Sequence, residues 1–200
     1  MQAKEKLSLE ERMTPEERDV YERYKKVVGK QFVLQEVLPV RPQQFNKGKY
    51  IAGYDEDVTW KGIMRWALAN DDYSPLWFDQ DFASKTRWGG IIAPPLFLLA
   101  IDNGVTPVAW LASILYGKDS VINTKDYPNF VGAFQGNTEY EFFEPVRPGD
   151  TLKAVATCTD VYWKQGRQYR LMFTEAVTTF TNQKGQKVAL CRQGAVYRFK

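Results

Sequence analysis

The last third of the chain leaves little freedom in what it can become. Residues 134–143 read as a strand, followed by a rigid turn at Pro145, Val146, Arg147, Pro148, Gly149 and Asp150. Residues 151–163 then alternate, with Leu152, Ala154, Ala156 and Cys158 on one face. Short breaks at 164–166 and 182–185 separate this run from two more strands, 167–181 and 186–199. Segments that long, joined by so few residues, predict antiparallel pairing between sequence neighbours. Upstream lies an apolar run, residues 91–101, with Pro94 and Pro95 near its head. Proline is tolerated in the first turn of a helix, so a buried helix is expected to start there. One buried helix against a large sheet, with one sheet face covered, is an α+β arrangement.

The first half supplies shorter elements. Thr14, Pro15, Glu16 and Glu17 form a capping signature: Thr14 caps, Pro15 takes the first helical position and Glu17 closes the box. The helix is predicted to run to about Val28 and stop at Gly29, with Val20, Tyr24 and Val27 on one face. That single stripe predicts one-sided packing, and it suggests a clamp for a partner. We divide the chain into an N-terminal extension, 1–30, and one domain, 31–200. Residues 31–40 carry a mixed strand signal, and Pro39 and Pro42 argue against a long central strand. Thr59 is placed to cap a helix over 60–69, which ends in Asn70, Asp71 and Asp72. A turn at Tyr73, Ser74 and Pro75, a short segment over 79–83 and a Gly89–Gly90 break follow. Residues 105–129 are expected to cover a site or an interface.

Composition excludes several classes of function. Apolar residues at 44% and charged residues at 26% are those of a soluble globular chain. No run approaches the roughly eighteen apolar residues a membrane helix needs, and the charged N-terminus does not fit a signal peptide, so no membrane partner and a cytoplasmic location are expected. Cys158 and Cys191 are too few and too far apart for a disulfide framework. A net charge of +3 without a basic block gives no support to a nucleic-acid partner. The chain has no histidine. That removes the commonest general base near neutral pH and every zinc site that needs an imidazole.

Three stretches carry a family resemblance: WALANDDYSPLWFDQDFASKTRWGGIIAPPLFL (66–98), FFEPVRPGDTL (142–152) and TTFTNQKGQKVA (178–189). With their spacing they cover roughly residues 59–199. The chain resembles the MaoC-like (R)-specific hydratases and dehydratases of the hot-dog superfamily, in particular the N-terminal, fatty-acid-synthase-like dehydratase branch. The resemblance implies a long central helix wrapped by a curved antiparallel sheet, with hot-dogs paired side by side. It implies reversible addition of water to a 2-enoyl thioester of coenzyme A or of a carrier protein, with no other cofactor. In active members an aspartate and a histidine five positions on activate the water, and a glycine N–H polarises the thioester carbonyl.

Carried over, the aspartate falls on Asp72, the histidine on Trp77 and the glycine on Pro95. An indole only donates, and proline has no N–H. The resemblance therefore implies a subunit that completes the tunnel beside a second hot-dog subunit bearing the Asp/His pair. A homo-oligomeric hydratase centred on Asp72 and a non-catalytic acyl-CoA-binding module remain open. For each residue a plainer role stands beside the functional one. Asp72 braces a turn, and Trp77 fills space. Gly89 and Gly90 either admit the pantetheine arm or simply turn the chain. Arg65, Lys85 and Arg87 either meet phosphates or sit in solvent, and Arg147 is equally open. Phe142 and Phe143 are expected in the core or at a subunit interface.

Overall fold

The computed structural model describes residues 10–33, 57–102 and 127–200. Its centre is a five-stranded sheet in the order β1-β3-β4-β5-β2. The strands are β1 (Gln31–Val33), β2 (Phe130–Phe142), β3 (Leu152–Gln165), β4 (Arg170–Asn182) and β5 (Lys187–Phe199), and every neighbouring pair is antiparallel. Alternation decides which face is covered. Leu152, Ala154, Ala156 and Cys158 are buried, as expected, and the last three lie in register with Phe180, Thr178 and Ala176 of β4. On β5 the same alternation buries Ala189, Cys191, Gln193, Ala195, Tyr197 and Phe199, and Val188 is buried beside them. Many of these side chains are small, which lets helices approach the sheet closely. The large ones, Phe180, Phe199, Met172 and Leu152, are fully enclosed and contribute about 1.5–3 kcal/mol each. The register shifts between Cys158 and Asp160 of β3 and between Gln135 and Thr138 of β2.

The apolar run begins its helix where the prolines predict. A 3-10 turn, Pro95–Phe97, leads into a helix over Leu98–Asp102, with Phe97 and Leu98 buried in the common core. Helix over sheet is the hot-dog arrangement. The expected continuation of that helix beyond 102, the segments 34–56, and the cover expected over 105–126 lie outside the described residues.

Pairing departs from the expected meander at one place. β3, β4 and β5 pair in sequence order, but β2 lies beside β5, separated from β3 by β4 and β5. The turn between β2 and β3 is responsible. Its prolines cannot serve a ladder, and its remaining polar groups bond elsewhere. Ala93 N–H donates to Val146 O (2.7 Å), Gly149 N–H to Val58 O (2.7 Å) and Val58 N–H to Asp150 O (2.7 Å). The segment leaves the sheet to bind the 58 and 93 strips, and β2 pairs with the strand that remains open.

The first helix, α1 (Pro15–Lys25), has the complete box: Thr14 N–H donates to Glu17 Oε2 (2.9 Å) and Glu17 N–H to Thr14 Oγ1 (3.3 Å). Gly29 follows at φ +80°, and its N–H reaches Cys158 O (2.7 Å). The apolar stripe does not wait for a partner. Val20, Tyr24 and Val27 are buried in the chain's own core, and Tyr24 meets Tyr197 edge-on at 5.6 Å. Burial pushes the phenols of both tyrosines up, Tyr197 to about 12. The expected clamp is thus corrected: the stripe is used within the chain, because the end of the sheet needs cover.

Glu17 is fully enclosed and lies 2.8 Å from the Arg170 guanidinium, whose side chain is 21% exposed. Arg170 also donates to Arg12 O (2.9 Å) and Lys200 O (3.0 Å), joining both ends of the described chain to β4. Burial raises the Glu17 carboxyl above 4.5, against the Thr14 N–H and the Arg170 charge, which lower it. A carboxyl whose folded pKa is raised gives stability that is present below its unfolded pKa and is lost as pH rises through the folded value. Glu17→Gln is expected to flatten the pH dependence of denaturant stability above the ordinary carboxylate range. Glu17→Ala removes the box and the ion pair together and is expected to cost about 2–3 kcal/mol, below the range for a fully buried pair because Arg170 reaches solvent. Equal pH profiles for wild type and Glu17→Gln would contradict this account.

Candidate active site

The site lies where the 60–95 strip meets the turn after β2. Helix α2 (Trp60–Ala69) starts at Thr59, whose Oγ1 accepts from Gly62 N–H (3.0 Å), and it buries Ile63 and Ala67. Its end is a Schellman closure. Asp71 is left-handed at φ 52° and donates N–H to Leu68 O (3.2 Å), and Asp72 N–H returns to Ala67 O (2.9 Å). Asp72 Oδ1 then accepts from Ser74 N–H (3.2 Å), and Ser74 opens the short helix α3 (Pro75–Phe78). Asp79 Oδ1 accepts from Phe82 N–H (3.0 Å) and opens α4 (Gln80–Ser84). The Asp72 carboxylate therefore holds a turn in this structure. Trp77 is buried, and its carbonyl accepts from the Trp60 indole N–H (3.2 Å).

Trp77 forms part of a cavity of about 230 Å³. Pro95, Ala93 and Leu98 from the helix start also line it, as do Trp88, Phe142 and Phe143. Three bonds hold these pieces together. Ala93 N–H donates to Val146 O (2.7 Å), the Arg147 guanidinium to Trp88 O (2.7 Å) and Phe143 N–H to Val188 O (2.9 Å). Arg147 N–H also donates to the Asp150 carboxylate (2.8 Å), which stiffens the turn.

The structure brings Trp77 and Pro95, the histidine and glycine positions of the resemblance, into one lining. Asp72, Arg65, Lys85, Arg87, Gly89 and Gly90 are not part of it. Arg65 and Lys85 are exposed. Arg87 is exposed too, but its guanidinium lies 4.3 Å from the centre of the Trp88 ring. Gly89 turns the chain at φ +68°, while Gly90 is buried, with Arg147 Nη1 4.0 Å from where a Cβ would stand. Phe142 and Phe143 are not core residues of this chain: they are 47% and 45% exposed.

Chemically, the lining is apolar with a single carboxylate, Glu144. Cys158 and Cys191 are fully buried elsewhere, and burial pushes the Cys158 thiol up to about 12, so no thiolate is on hand. Trp88, Glu144 and the Arg147 link were not assigned to the site from the sequence. The Pro-Val-Arg-Pro-Gly-Asp stretch reads as a turn, and nothing local says which distant strip it binds.

The model of the FAS1-like dehydratase domain region matches residues 46–191. No curated protein matches the sequence significantly. Among solved structures, the ChsH1-ChsH2 complex from Mycobacterium tuberculosis is similar in fold at TM-score 0.62 and 18% identity, covering 90% of this chain and 90% of that one. A C-terminally truncated HadBC complex, a 3R-hydroxyacyl-ACP dehydratase from the same organism, is similar at TM-score 0.51 and 20% identity, covering 70% and 88%. Both of those proteins are heteromeric.

The closure of α2 generates a stability prediction. A left-handed position with nothing but a carboxylate on it is better served by glycine. Asp71→Gly is expected to raise stability by about 0.5–1 kcal/mol, seen as a higher urea midpoint with unchanged slope. A lower midpoint would mean that the 3.2 Å bond from Tyr73 OH to Asp71 outweighs the backbone strain.

Proposed function

From the FAS1-like dehydratase domain region family, to which this chain belongs, we infer one subunit of an enoyl-thioester hydratase or dehydratase that works beside a second, histidine-bearing hot-dog subunit. The observation that carries this reading is the cavity lined by both Trp77 and Pro95. Two positions that the resemblance assigns to catalysis meet there, and neither residue can do the work. Trp77 offers no base, and Pro95 offers no N–H to an enolate oxygen. What the cavity offers is shape: an apolar slot for the acyl part of a thioester of coenzyme A or of a carrier protein.

The sheet supports one position for the partner. β2 is an edge strand among the described residues, thirteen residues long. It is exposed on both faces over most of its length, and Phe134, Phe142 and Phe143 remain open along it or just after it. A long strand with an open edge and exposed phenylalanines is a surface that proteins cover. A second hot-dog laid along β2 would also close the cavity beside Phe142. The alternative centred on Asp72 has less support, since that carboxylate is engaged by Ser74 N–H outside the cavity.

The test is reconstitution. The purified chain alone is expected to hydrate crotonyl-CoA no faster than background. Co-expressed with a histidine-bearing hot-dog subunit, it is expected to give turnover of roughly 1–10³ per second. In that complex, replacing the histidine should cost about 10²–10⁴-fold, whereas Asp72→Asn in this chain should cost less than about threefold. Turnover by the chain alone that disappears with Asp72→Asn would overturn the proposal in favour of the homo-oligomeric enzyme.

A further inference from the structure

The outer face of the sheet is more apolar than water contact requires. An antiparallel sheet with solvent on one side alternates apolar inward with polar outward. Here the outward positions of β4 include Leu171, Phe173 and Val177, all half-buried. Helices α1 and α2 pack into the core on the other face. Register sets one apolar row across four strands: Tyr162 of β3, Phe173 of β4, Val196 of β5 and Phe134 of β2. The Tyr162 and Phe173 rings stack at 5.2 Å.

Charge is segregated about this row. On one side, Lys164 Nζ lies 5.1 Å from the centre of each stacked ring, and the Arg198 guanidinium lies 4.2 Å from the centre of Phe134. Both cations flank Leu171 in the register. On the other side stands Glu175, which accepts from Tyr162 OH (2.9 Å). Asp160 is in register beside it and is paired with Lys25 at 3.5 Å. Lys164, Arg198 and Glu175 form no ion pair with a described residue.

Such a pattern is complementary to itself. A two-fold axis along the apolar row lays row on row and exchanges the two sides. Glu175 of one copy then stands over Leu171 of the other, between Lys164 and Arg198. A two-fold axis along the strands sets cation on cation instead, which is costly. The extent of the face is also sufficient. Four strands of at least thirteen residues each, about 4.8 Å apart, present about 800 Å², the share each partner gives to an interface of standard size.

We propose that the outer face of β2 to β5 is an interface with a second copy of this chain, the two sheets packed face to face about a two-fold axis along the Tyr162–Phe134 row. The face is separate from the open backbone edge of β2, and the pair forms whether or not the thioester reading holds.

The experiment is sedimentation equilibrium of the full chain at about 50 mM salt, where charge contacts are weakly screened. The wild type is expected to be largely dimeric at about 50 μM and to dissociate at least about threefold more readily in about 500 mM salt. Two charge reversals, the double variant Lys164→Glu, Arg198→Glu and the single variant Glu175→Lys, are each expected to weaken self-association about tenfold or more. Mixed in equal amounts, these two variants oppose unlike charges at both contacts and are expected to pair within about threefold of the wild type. Recovery on mixing also shows that both are folded. Should a reversal prevent folding, as read by circular dichroism, the milder Lys164→Ala and Glu175→Gln take its place, each expected to weaken pairing about threefold. A wild-type chain that stays monomeric at about 50 μM overturns the proposal. A dimer indifferent to these substitutions, or a mixture that pairs no better than its components, overturns it too.

Discussion

The inner face of β3, β4 and β5 presents Ala154, Ala156, Cys158, Ala176, Ala189, Cys191 and Ala195 among a few large residues, all buried. Such a face cannot be left in water, and the positions of the other elements follow from covering it. Leu98 and Phe97 come down on it at the start of the apolar helix, and α1 covers another part through Val20, Tyr24 and Val27. The N-terminal helix is therefore part of one contiguous core rather than an appendage. Its Glu17 carboxylate is enclosed and pairs with Arg170 at the start of β4, whose side chain reaches solvent.

The cavity is a consequence of how the turn after β2 is anchored. A proline-bearing turn that pairs with no strand is free to bind the 58 and 93 strips. Through Val146 it fixes Ala93 directly before the two prolines, and through Arg147 it fixes Trp88. The wall of the cavity and the start of the buried helix are thus set by the same segment. Trp77 and Pro95, on which the resemblance places the histidine and the glycine of active members, both line this apolar slot. That combination is what makes a subunit with a binding role beside a better-equipped partner the economical reading.

Parts of this were legible in advance. The cap at Thr14, the cap at Thr59, the helix start at Pro95 and the alternation in β3 all depend on residues within a few positions of one another, and each is found where expected. The place of β2 was not legible. The strand's own residues do not record that β5 has an open side, or that the turn behind it is engaged by Val58 and Ala93. The same holds for Phe142 and Phe143, expected in the core or at a subunit interface: of these the structure removes the core, since they stand half open at the cavity.

Taken alone, the amino-acid sequence determined the main element types, the helix caps at Thr14 and Thr59, the α+β class and the absence of an imidazole anywhere in the chain, because these follow from composition and from short-range sterics and hydrogen bonding. Only the tertiary structure decided that Trp77 and Pro95 share one cavity, that Asp72 stands outside it, and that Arg87 and Lys187 lie on the rings of Trp88 and Phe143. Except for Arg87 on its neighbour Trp88, they join residues far apart in the chain. They exist because the sheet has to be covered, and no local pattern encodes which distant segment covers it.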